Sequence, residues 1–287
     1  MSNAVLTDFD PNGQGRGLFG VFRHRYLLQL LVRKELKVRY RRSVLGLLWS
    51  YVKPAVQFAV YFVAIGMFLG LNKSMDNFAV YLFSGIIVMN FFTEAVRNAT
   101  RSIIDNAALI KKIYLPRELF PVASVYVSAV HFLPQVVVLC VAVPFFGWRW
   151  DPMGVLMVLI GFVLLLVLSI GLGLLFGALN VIFRDAENFV DLINMVITWS
   201  APVLYTAILV RDTLGETAFT IYQANPLVVI VELFHRGFWV PTVSHGVDLA
   251  GRPLEMWLSI TAATCIAVFI VGQLVFTRVS KRFAQEL

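Results

Sequence analysis

Charged residues are scarce in this sequence, and cysteine is almost absent. Asp, Glu, Lys and Arg together make up 14% of the 287 residues, whereas 59% are hydrophobic. A water-soluble fold of this length normally carries far more charge, so the composition argues against one. The two cysteines, Cys140 and Cys265, lie inside apolar runs, where a thiol behaves as a small hydrophobic side chain. We therefore expect neither a disulfide nor a metal site.

The motifs of nucleotide-binding proteins and of common hydrolases are missing as well. The sequence contains no GxxxxGK[ST] loop, no HExxH pair, and no paired carboxylates or His-Asp-Ser set facing a common loop. We therefore expect no P-loop ATP site and no catalytic residues on this chain. Residues 1–17 lack the apolar core and cleavage pattern of a signal peptide, so we expect the N-terminal tail to be retained.

Long apolar runs are what the sequence has instead. About 20 apolar residues cross a bilayer core as a helix. Six runs qualify, at about 50–71, 78–98, 119–146, 153–182, 190–210 and 256–277. The third and fourth exceed the minimum length, which predicts tilt or kinks, with Pro121 and Pro134 as kink sites. The sequence thus predicts an all-α integral membrane protein with six transmembrane helices.

Basic residues are distributed asymmetrically around these runs. With the N-terminus in the cytoplasm, all but five of the 24 Lys and Arg fall in inside segments. The five on the other side are Lys73, Arg149, Arg211, Arg236 and Arg252. Because basic residues beside a span are retained in the cytoplasm, we expect an inner-membrane protein with both termini cytoplasmic. Orientation in the membrane also explains the net charge of +7 better than nucleic-acid binding does.

The chain divides into three predicted parts. Residues 1–20 have the composition of a flexible cytoplasmic tail, 21–48 form an amphipathic interface helix, and 49–287 form the transmembrane domain. Leu27, Leu31 and Val38 make an apolar stripe on the interface helix, interrupted by Lys34, which favours packing partly on protein and partly on lipid. The functional candidates on this segment are Arg33, Lys37, Arg39, Tyr40, Arg41 and Arg42.

The loop between the second and third spans predicts a short helix at about 106–115. Asp105 or Asn106 would cap it, and Pro116 would end it. Its residues combine apolar side chains with two lysines: Leu109, Ile110, Lys111, Lys112, Ile113 and Tyr114. From the residues alone, docking on a partner and lying on lipid are equally good interpretations. In the loop after the fourth span, the charges of Arg184, Asp185 and Glu187, followed by Asp191, are expected to pair locally in a solvated turn.

The connection at about 211–255 is expected on the outer side. It contains two apolar segments, 218–224 and 226–240, which are too short to cross and predict a re-entrant hairpin. Glu232 and Arg236 stand four residues apart and are predicted to pair.

Within the spans, ionisable and aromatic residues mark candidate positions. Glu94 is predicted to pair with Arg97, and with His131 it indicates local pairing or pore lining rather than a proton relay. The candidate pore-lining aromatics are Tyr51, Phe58, Tyr61 and Phe62. The pairs Gly66/Gly70 and Gly173/Gly177 predict close helix contacts.

The run ELKVRYRRSVLGLLW, Glu35 to Trp49, closed by Pro54, resembles the entry signature of permease subunits of ABC exporters for lipid-linked polysaccharides, such as O-antigen, teichoic acid or cell-wall galactan. The resemblance covers about Val32 to the end. It implies a homodimer with two copies of a separate ATPase, which holds ATP and Mg, and a polysaccharide on polyprenyl diphosphate as substrate. This chain would then carry no cofactor.

The resemblance also implies roles for particular residues. A coupling helix would contact the ATPase through Asn106, Leu109, Ile110, Lys111, Lys112 and Pro116, with Arg184-Asp185 as a lesser contact. Asn225-Pro226 matches the turn between paired helices that gate the outer mouth, where Glu232 and Arg236 also lie. Two alternatives remain open: an ABC exporter of a drug or small lipid, and an integral membrane enzyme whose candidate metal ligands are Asp185, Glu187 and Asp191.

Overall fold

The computed structural model describes residues 24–112, 115–243 and 254–283, and this part of the chain consists of helices and turns. Its α-helices are α1 Arg25–Arg39, α2 Trp49–Tyr61, α3 Leu71–Ser74, α4 Phe78–Asp105, α5 Ala107–Ile110, α6 Leu119–Ala142, α7 Pro152–Ile182, α8 Ala186–Ser200, α9 Ala207–Gln223, α10 Pro226–Phe238 and α11 Leu254–Ser280. A π-helix, Phe62–Phe68, continues α2, and 3₁₀ turns cover Gly46–Leu48, Val143–Phe146 and Val240–Thr242.

Five segments of the described chain are long and apolar enough to cross a membrane. They are Gly46–Phe68, Phe78–Asp105, Leu119–Phe146, Pro152–Ile182 and Met256–Ser280. The segments Ala207–Gln223 and Pro226–Thr242 meet the criterion only as a pair and are bent by 99°. The prediction of an all-α protein with several membrane spans is confirmed. The bent pair fits either a broken span or a re-entrant hairpin, so the re-entrant hairpin stays a prediction.

The predicted fifth span, 190–210, is not one helix. α8 ends at Ser200, and residues 201–206 form turns before α9 begins. The break has a local cause, because Pro202 disfavours helical backbone at Ala201, which is extended with ψ 148°. The 15 residues of α8 rise about 22 Å, which is short of a bilayer core of about 30 Å.

α4 lies at the centre of the bundle. Of its apolar stretch, 72% is buried, and α6, α7, α8 and α10 pack around it. Aromatic rings interlock these helices: Phe132 of α6 stacks on Phe162 of α7 at 5.3 Å between ring centroids, and Phe91 of α4 meets Phe132 edge-on at 5.4 Å. Since lipid is as apolar as Phe, these contacts stabilise the bundle through close packing rather than by removing surface from water.

Glycines allow the closest helix contacts. A Cβ at Gly173 of α7 would lie 2.6 Å from Ala99 Cβ of α4, and one at Gly177 would lie 3.1 Å from the Ala99 carbonyl oxygen. The predicted contact of Gly173 and Gly177 is therefore confirmed. Gly70 has a different role, because its φ of 80° starts α3 in the left-handed region.

α2 is only loosely attached to the rest of the described chain. Only 11% of the apolar stretch Gly46–Phe68 is buried. Side chains such as Val60 and Met67 are more than half exposed, as are Met195 and Trp199 on α8. These faces must be covered by lipid or by another protein in a membrane.

Candidate functional site

A cavity of about 870 Å³ opens between α1, α2, α4, α6 and α8. It is lined by Arg39, Tyr40, Ser43, Trp49, Ser50, Lys53, Pro54, Gln57, Met89, Asn90, Thr93, Glu94, Arg97, Asn98, His131, Gln135, Asp191, Asn194, Met195 and Thr198. Most of these side chains are polar or charged. Because polar groups are costly inside a membrane bundle, a concentration of them marks a candidate functional site.

One wall of the cavity holds a shared ion pair. Arg39 Nη1 lies 2.5 Å from Glu94 Oε1, and His131 Nδ1 lies 2.7 Å from the same oxygen. A carboxylate oxygen only accepts, so the close contact with Glu94 Oε1 requires that His131 Nδ1 carries a proton and donates it. In that tautomer, the Tyr40 hydroxyl at 2.8 Å donates to His131 Nε2, and Ser50 Oγ lies 3.1 Å from the same hydroxyl. The cluster thereby joins the end of α1 to α4 and α6.

The predicted partner of Glu94 is wrong. Arg97 Nε instead lies 2.7 Å from Asp191 Oδ1 on α8. Residues three positions apart on a helix diverge by about 60°. Glu94 therefore faces α1 and α6, whereas Arg97 faces α8. Local pairing of Glu94 and His131 is confirmed, and both residues also line the cavity.

The charged loop after α7 was expected to pair within itself, and that expectation is also wrong. Glu187 forms an ion pair with Arg101 of α4, one helical turn from the Arg97–Asp191 pair. The reason is that α8 places Glu187 and Asp191 on the same face, toward α4. Arg184 and Asp185 are exposed.

Helix α1 occupies Arg25–Arg39 of the predicted interface segment and packs on the chain itself. Leu31 is buried in a cluster with residues of α6, α7 and α11, and Leu27 packs against the same cluster. Val38, also predicted on the apolar stripe, is 62% exposed. Val38 lies on the same face of α1 as Leu31 but about 10 Å further along the helix, beyond the part of the stripe that packs on this cluster.

Two further polar contacts attach α1 to its neighbours. Ser124 Oγ of α6 donates to Glu35 Oε1 at 3.1 Å, and burial raises the pKa of the Glu35 carboxyl. Lys34 Nζ lies 2.5 Å from Asn106 Oδ1, just before α5. Of the predicted interface residues, Arg39 and Tyr40 line the cavity, whereas Arg33, Lys37, Arg41 and Arg42 are exposed.

The predicted coupling segment contains one described helical turn, α5, Ala107–Ile110. It ends early because the Lys112 N–H bonds to the Leu109 carbonyl, a 3₁₀-type contact that closes the turn. The predicted side-chain cap is absent. Asn106 Nδ2 donates to the Ser102 carbonyl at 2.8 Å instead.

The apolar and basic halves of this segment face different surroundings. Leu109 and Ile110 pack against the cluster around Leu31, whereas Lys111 and Lys112 are exposed. At least part of the apolar surface of this segment therefore packs against the rest of this chain and is not free for a partner. Pro116 is half-buried, and the two remaining candidates, Ile113 and Tyr114, lie outside the described residues. A contact with an ATPase stays a prediction.

An anchor that sequence reasoning missed lies beside this segment. Arg117 donates to the carbonyl oxygen of Ser280 at the end of α11, and its guanidinium lies 5.6 Å from the Phe283 ring centroid. The neighbouring Glu118 is 3% exposed, and burial raises the pKa of its carboxyl. These contacts attach the C-terminal end of α11 to the start of α6.

The predicted outer gate residues lie on or next to α10. Asn225 Oδ1 accepts a hydrogen bond from the Leu227 N–H at 3.1 Å, and Pro226 begins the helix. Glu232 does not pair with Arg236. Instead, Glu232 Oε1 lies 4.0 Å from His235 Nδ1.

The imidazole of His235 contacts Tyr81 of α4. His235 Nε2 lies 3.2 Å from the Tyr81 carbonyl oxygen. The His235 and Tyr81 rings stack with 3.8 Å between their centroids. The Tyr81 hydroxyl bonds to the carbonyls of Pro202 and Tyr205. Since α10 is buried along its length, it is a fixed part of the bundle in this structure.

The four candidate pore-lining aromatics are not part of the lining of the polar cavity. Tyr51 and Phe58 line a neighbouring apolar cavity of about 320 Å³ between α2, α4 and α6, which shares Pro54 and Gln135 with the polar cavity. The Phe58 and Phe62 rings stack with 5.6 Å between their centroids. Tyr61 also packs against the hydrophobic core of the bundle. Their role in a passage stays a prediction.

Sequence reasoning also missed the neutral amides of the cavity wall. Asn194 of α8 and Gln135 of α6 are buried and line the cavity, together with Gln57, Asn90 and Asn98. The only signal in the sequence was an amide inside an apolar run. Among the described residues, no group of three or more His, Cys, Asp or Glu has the geometry of a metal site.

The chain is similar to known proteins over most of its length. Residues 26–239 match the family model of the ABC-2 type transporter. The chain is 31% identical over 271 residues to the O-antigen export system permease protein RfbA of Klebsiella pneumoniae, which covers 91% of this chain and 96% of that protein. It is 28% identical over 225 residues to the O-antigen export system permease protein RfbA of Myxococcus xanthus, and the match covers 76% of this chain and 82% of that protein. It is 20% identical over 244 residues to the polysialic acid transport protein KpsM of Escherichia coli, covering 84% and 92%. With a family match that spans most of its length, this membrane protein belongs to the ABC-2 type transporter family.

Proposed function

We propose that this protein is the permease subunit of an ATP-driven exporter that moves a polysaccharide on polyprenyl diphosphate across the cytoplasmic membrane. ATP is bound and hydrolysed by a separate cytoplasmic ATPase, and two copies of each chain make up the transporter. The names of the relatives, which concern O-antigen export and polysialic acid transport, support the substrate class.

The polar cavity of about 870 Å³ is the observation that carries this proposal. A lipid-linked glycan brings neutral hydroxyls and an anionic diphosphate into the membrane. The cavity has both kinds of partner, with amides such as Asn194 and cations such as Arg39 and Lys53. An exporter of apolar drugs would be better served by a mainly apolar pocket. The membrane-enzyme alternative is less well supported, since Glu187 and Asp191 are engaged by arginines.

The exposed faces of α2 and α8 support a second copy of the chain. The apolar stretch that contains α2 is 11% buried, and Met195 and Trp199 project from α8. Two bundles that meet along these faces would enclose a wider passage than one bundle does. The cavity lies between α2 and α8, so this arrangement would join two cavities into one route.

The contacts of α1 support a path from the ATPase to the cavity. Lys111 and Lys112 are exposed for docking, and Asn106 beside them is bonded to Lys34 of α1. Arg39 at the end of the same helix lines the cavity. A push on α5 would thereby displace α1 and reshape the cavity wall.

Deletion of the gene in its own host tests the function. We expect loss of polysaccharide from the cell surface and accumulation of the lipid-linked polymer inside, with both reversed by the intact chain. Surface polysaccharide is measured by immunoblot, and the polymer is measured in extracted lipid. Unchanged surface polysaccharide in the deletion strain, with no internal accumulation, would contradict the proposal.

A further inference from the structure

Two amide side chains in the cavity wall have polar atoms without a partner among the described residues. Asn194 is 4% exposed, and neither its Oδ1 nor its Nδ2 forms a hydrogen bond. Gln135 is 5% exposed; its Nε2 donates to the His131 carbonyl at 3.0 Å, but its Oε1 is unpaired. Buried polar groups in native proteins are nearly always satisfied. Because both side chains line the cavity, an occupant of the cavity can supply the missing bonds.

Except for Lys53, the charged side chains of the cavity wall are engaged with one another. Arg39 and His131 share Glu94, and Arg97 is bonded to Asp191. Asn98, another amide of the wall, also has partners, since its Nδ2 is within 3.5 Å of Glu94 Oε1 and Ser128 Oγ. The unused hydrogen-bonding capacity of Asn194 and Gln135 is therefore neutral, which suits an uncharged polar ligand.

The unpaired atoms also restrict the chemical class of the ligand. Asn194 Oδ1 and Gln135 Oε1 are acceptors, so each requires a donor. Alkyl chains have no donor, and an ionised phosphate only accepts. A sugar hydroxyl both donates and accepts, and two adjacent hydroxyls match the acceptor and the donor of one carboxamide. Trp49 also lines the cavity and is 42% exposed, which leaves an indole surface for the C–H face of a sugar ring.

We propose that Asn194 and Gln135 form a subsite that recognises the hydroxyls of one sugar residue of the exported glycan, with Trp49 as its ring contact. The inference rests on the proposed function and specifies which part of the substrate this region binds. It assigns these residues to neutral sugar rather than to the diphosphate or the lipid.

Binding of free oligosaccharides to the full-length chain in lipid nanodiscs tests the subsite. The probes are mannotriose and galactotriose, each compared with its permethylated form, which keeps the rings but has no hydroxyl donors. Saturation-transfer NMR measures binding. We expect at least one free trisaccharide to bind and its permethylated form not to bind. Asn194→Ala should raise the Kd about tenfold, as expected for the loss of two hydrogen bonds, and Gln135→Leu should also weaken binding.

Asn188→Ala is the matched control, because Asn188 is an exposed amide on the same helix. It should bind the sugar like the unaltered chain. Thermal unfolding separates a ligand role from a structural one: removing an amide without partners should leave the Tm of Asn194→Ala unchanged or higher. A lowered Tm, equal binding by Asn194→Ala, equal binding of permethylated sugar, or no binding of either trisaccharide would overturn the subsite. Export by the unaltered chain in the deletion strain would still support the proposed function in each of these cases.

Discussion

Arg39 Nη1 at the end of α1 lies 2.5 Å from Glu94 Oε1 in the middle of the bundle, although the two residues are 55 positions apart in the chain. Both side chains are 31% exposed, so water screens the ion pair only partly. The contact brings the most basic segment of the protein to the cavity wall. It also makes the position of α1 dependent on the charge state of α4.

Neutralising Glu94 should loosen α1. In Glu94→Gln the pair with Arg39 becomes a hydrogen bond without opposite charges, which costs about 1 kcal/mol. Amide hydrogen exchange over Arg25–Arg39 should therefore accelerate about fivefold. Glu187→Gln is the control, because Glu187 pairs with Arg101 and does not contact α1. Equal exchange of α1 in the unaltered chain and Glu94→Gln would show that the ion pair does not hold the helix.

Reversing the charge of the exposed lysines beside α5 should separate ATP hydrolysis from export. The double variant Lys111→Glu and Lys112→Glu retains the packing of Leu109 and Ile110, so we expect normal membrane insertion. If the lysines contact the ATPase, surface polysaccharide should fall severalfold while ATP hydrolysis by the partner continues. Lys73→Glu is the control, since Lys73 is an exposed lysine in another connection. Undiminished export by the double variant would rule out this contact.

A methyl group at Gly272 should disrupt the contact of α7 with α11. Its Cβ would lie 2.1 Å from the Gly171 carbonyl oxygen, which belongs to the backbone and cannot rotate away. We expect Gly272→Ala to destabilise the bundle by about 1–3 kcal/mol and to lower the Tm in detergent. Ala263→Val adds volume at an exposed site of the same helix and should have little effect. A Tm of Gly272→Ala equal to that of the unaltered chain would mean that the two helices separate easily.

The attachment of α1 to α6 should depend on pH through Glu35. Burial raises the pKa of this carboxyl above its ordinary value of 4.5. The packed state therefore binds the proton more tightly than the detached state. Packing of α1 is strongest at low pH and weakens as pH rises from about 4.5 through the raised pKa. Hydrogen exchange of α1 measured between pH 4 and pH 7, corrected for intrinsic rates, should show this loss.

Glu35→Gln has no such titration and should remove most of that pH dependence while keeping the contact with Ser124. Ser124→Ala serves as a second variant, because it deletes the hydrogen bond but leaves the carboxyl. A pH dependence in Glu35→Gln as large as in the unaltered chain would assign the effect to another group.

The errors of sequence reasoning share a cause. The predicted partner of Glu94, Arg97, lies on its own helix, whereas the observed partners lie on α1 and α6. The same is true of Glu187, which pairs with α4 rather than within its loop. On an isolated helix, sequence spacing is a good guide to which charged side chains form ion pairs. In a packed bundle, residues of neighbouring helices reach the same oxygen with better geometry.

Residues 201–238, which include the predicted hairpin, show which features follow from local sequence and which depend on tertiary contacts. Asn225-Pro226 begins a helix as its sequence indicates, because an Asn cap and Pro in the first turn act only on nearby backbone. The effect of Pro202 on Ala201 is equally local. The prediction of one span over 190–210 missed it because hydropathy was continuous across Pro202. Whether α9 and α10 lie in line or bend by 99° depends on contacts with α4 and α7.

The sequence by itself determined that this chain is helical, that it belongs in a membrane and that its entry segment resembles polysaccharide-export permeases. Hydropathy over 20 residues and the chemistry of Pro, Gly and Asn are properties of short stretches, so no fold is needed to read them. Only the tertiary structure decided which side chains meet in the cavity. Tyr40 and His131 are 91 positions apart, and their hydrogen bond depends on how α1 and α6 are rotated and packed. Such rotations follow from the contacts of all the helices together, which is why Asn194 and Gln135 became candidates only in the folded protein.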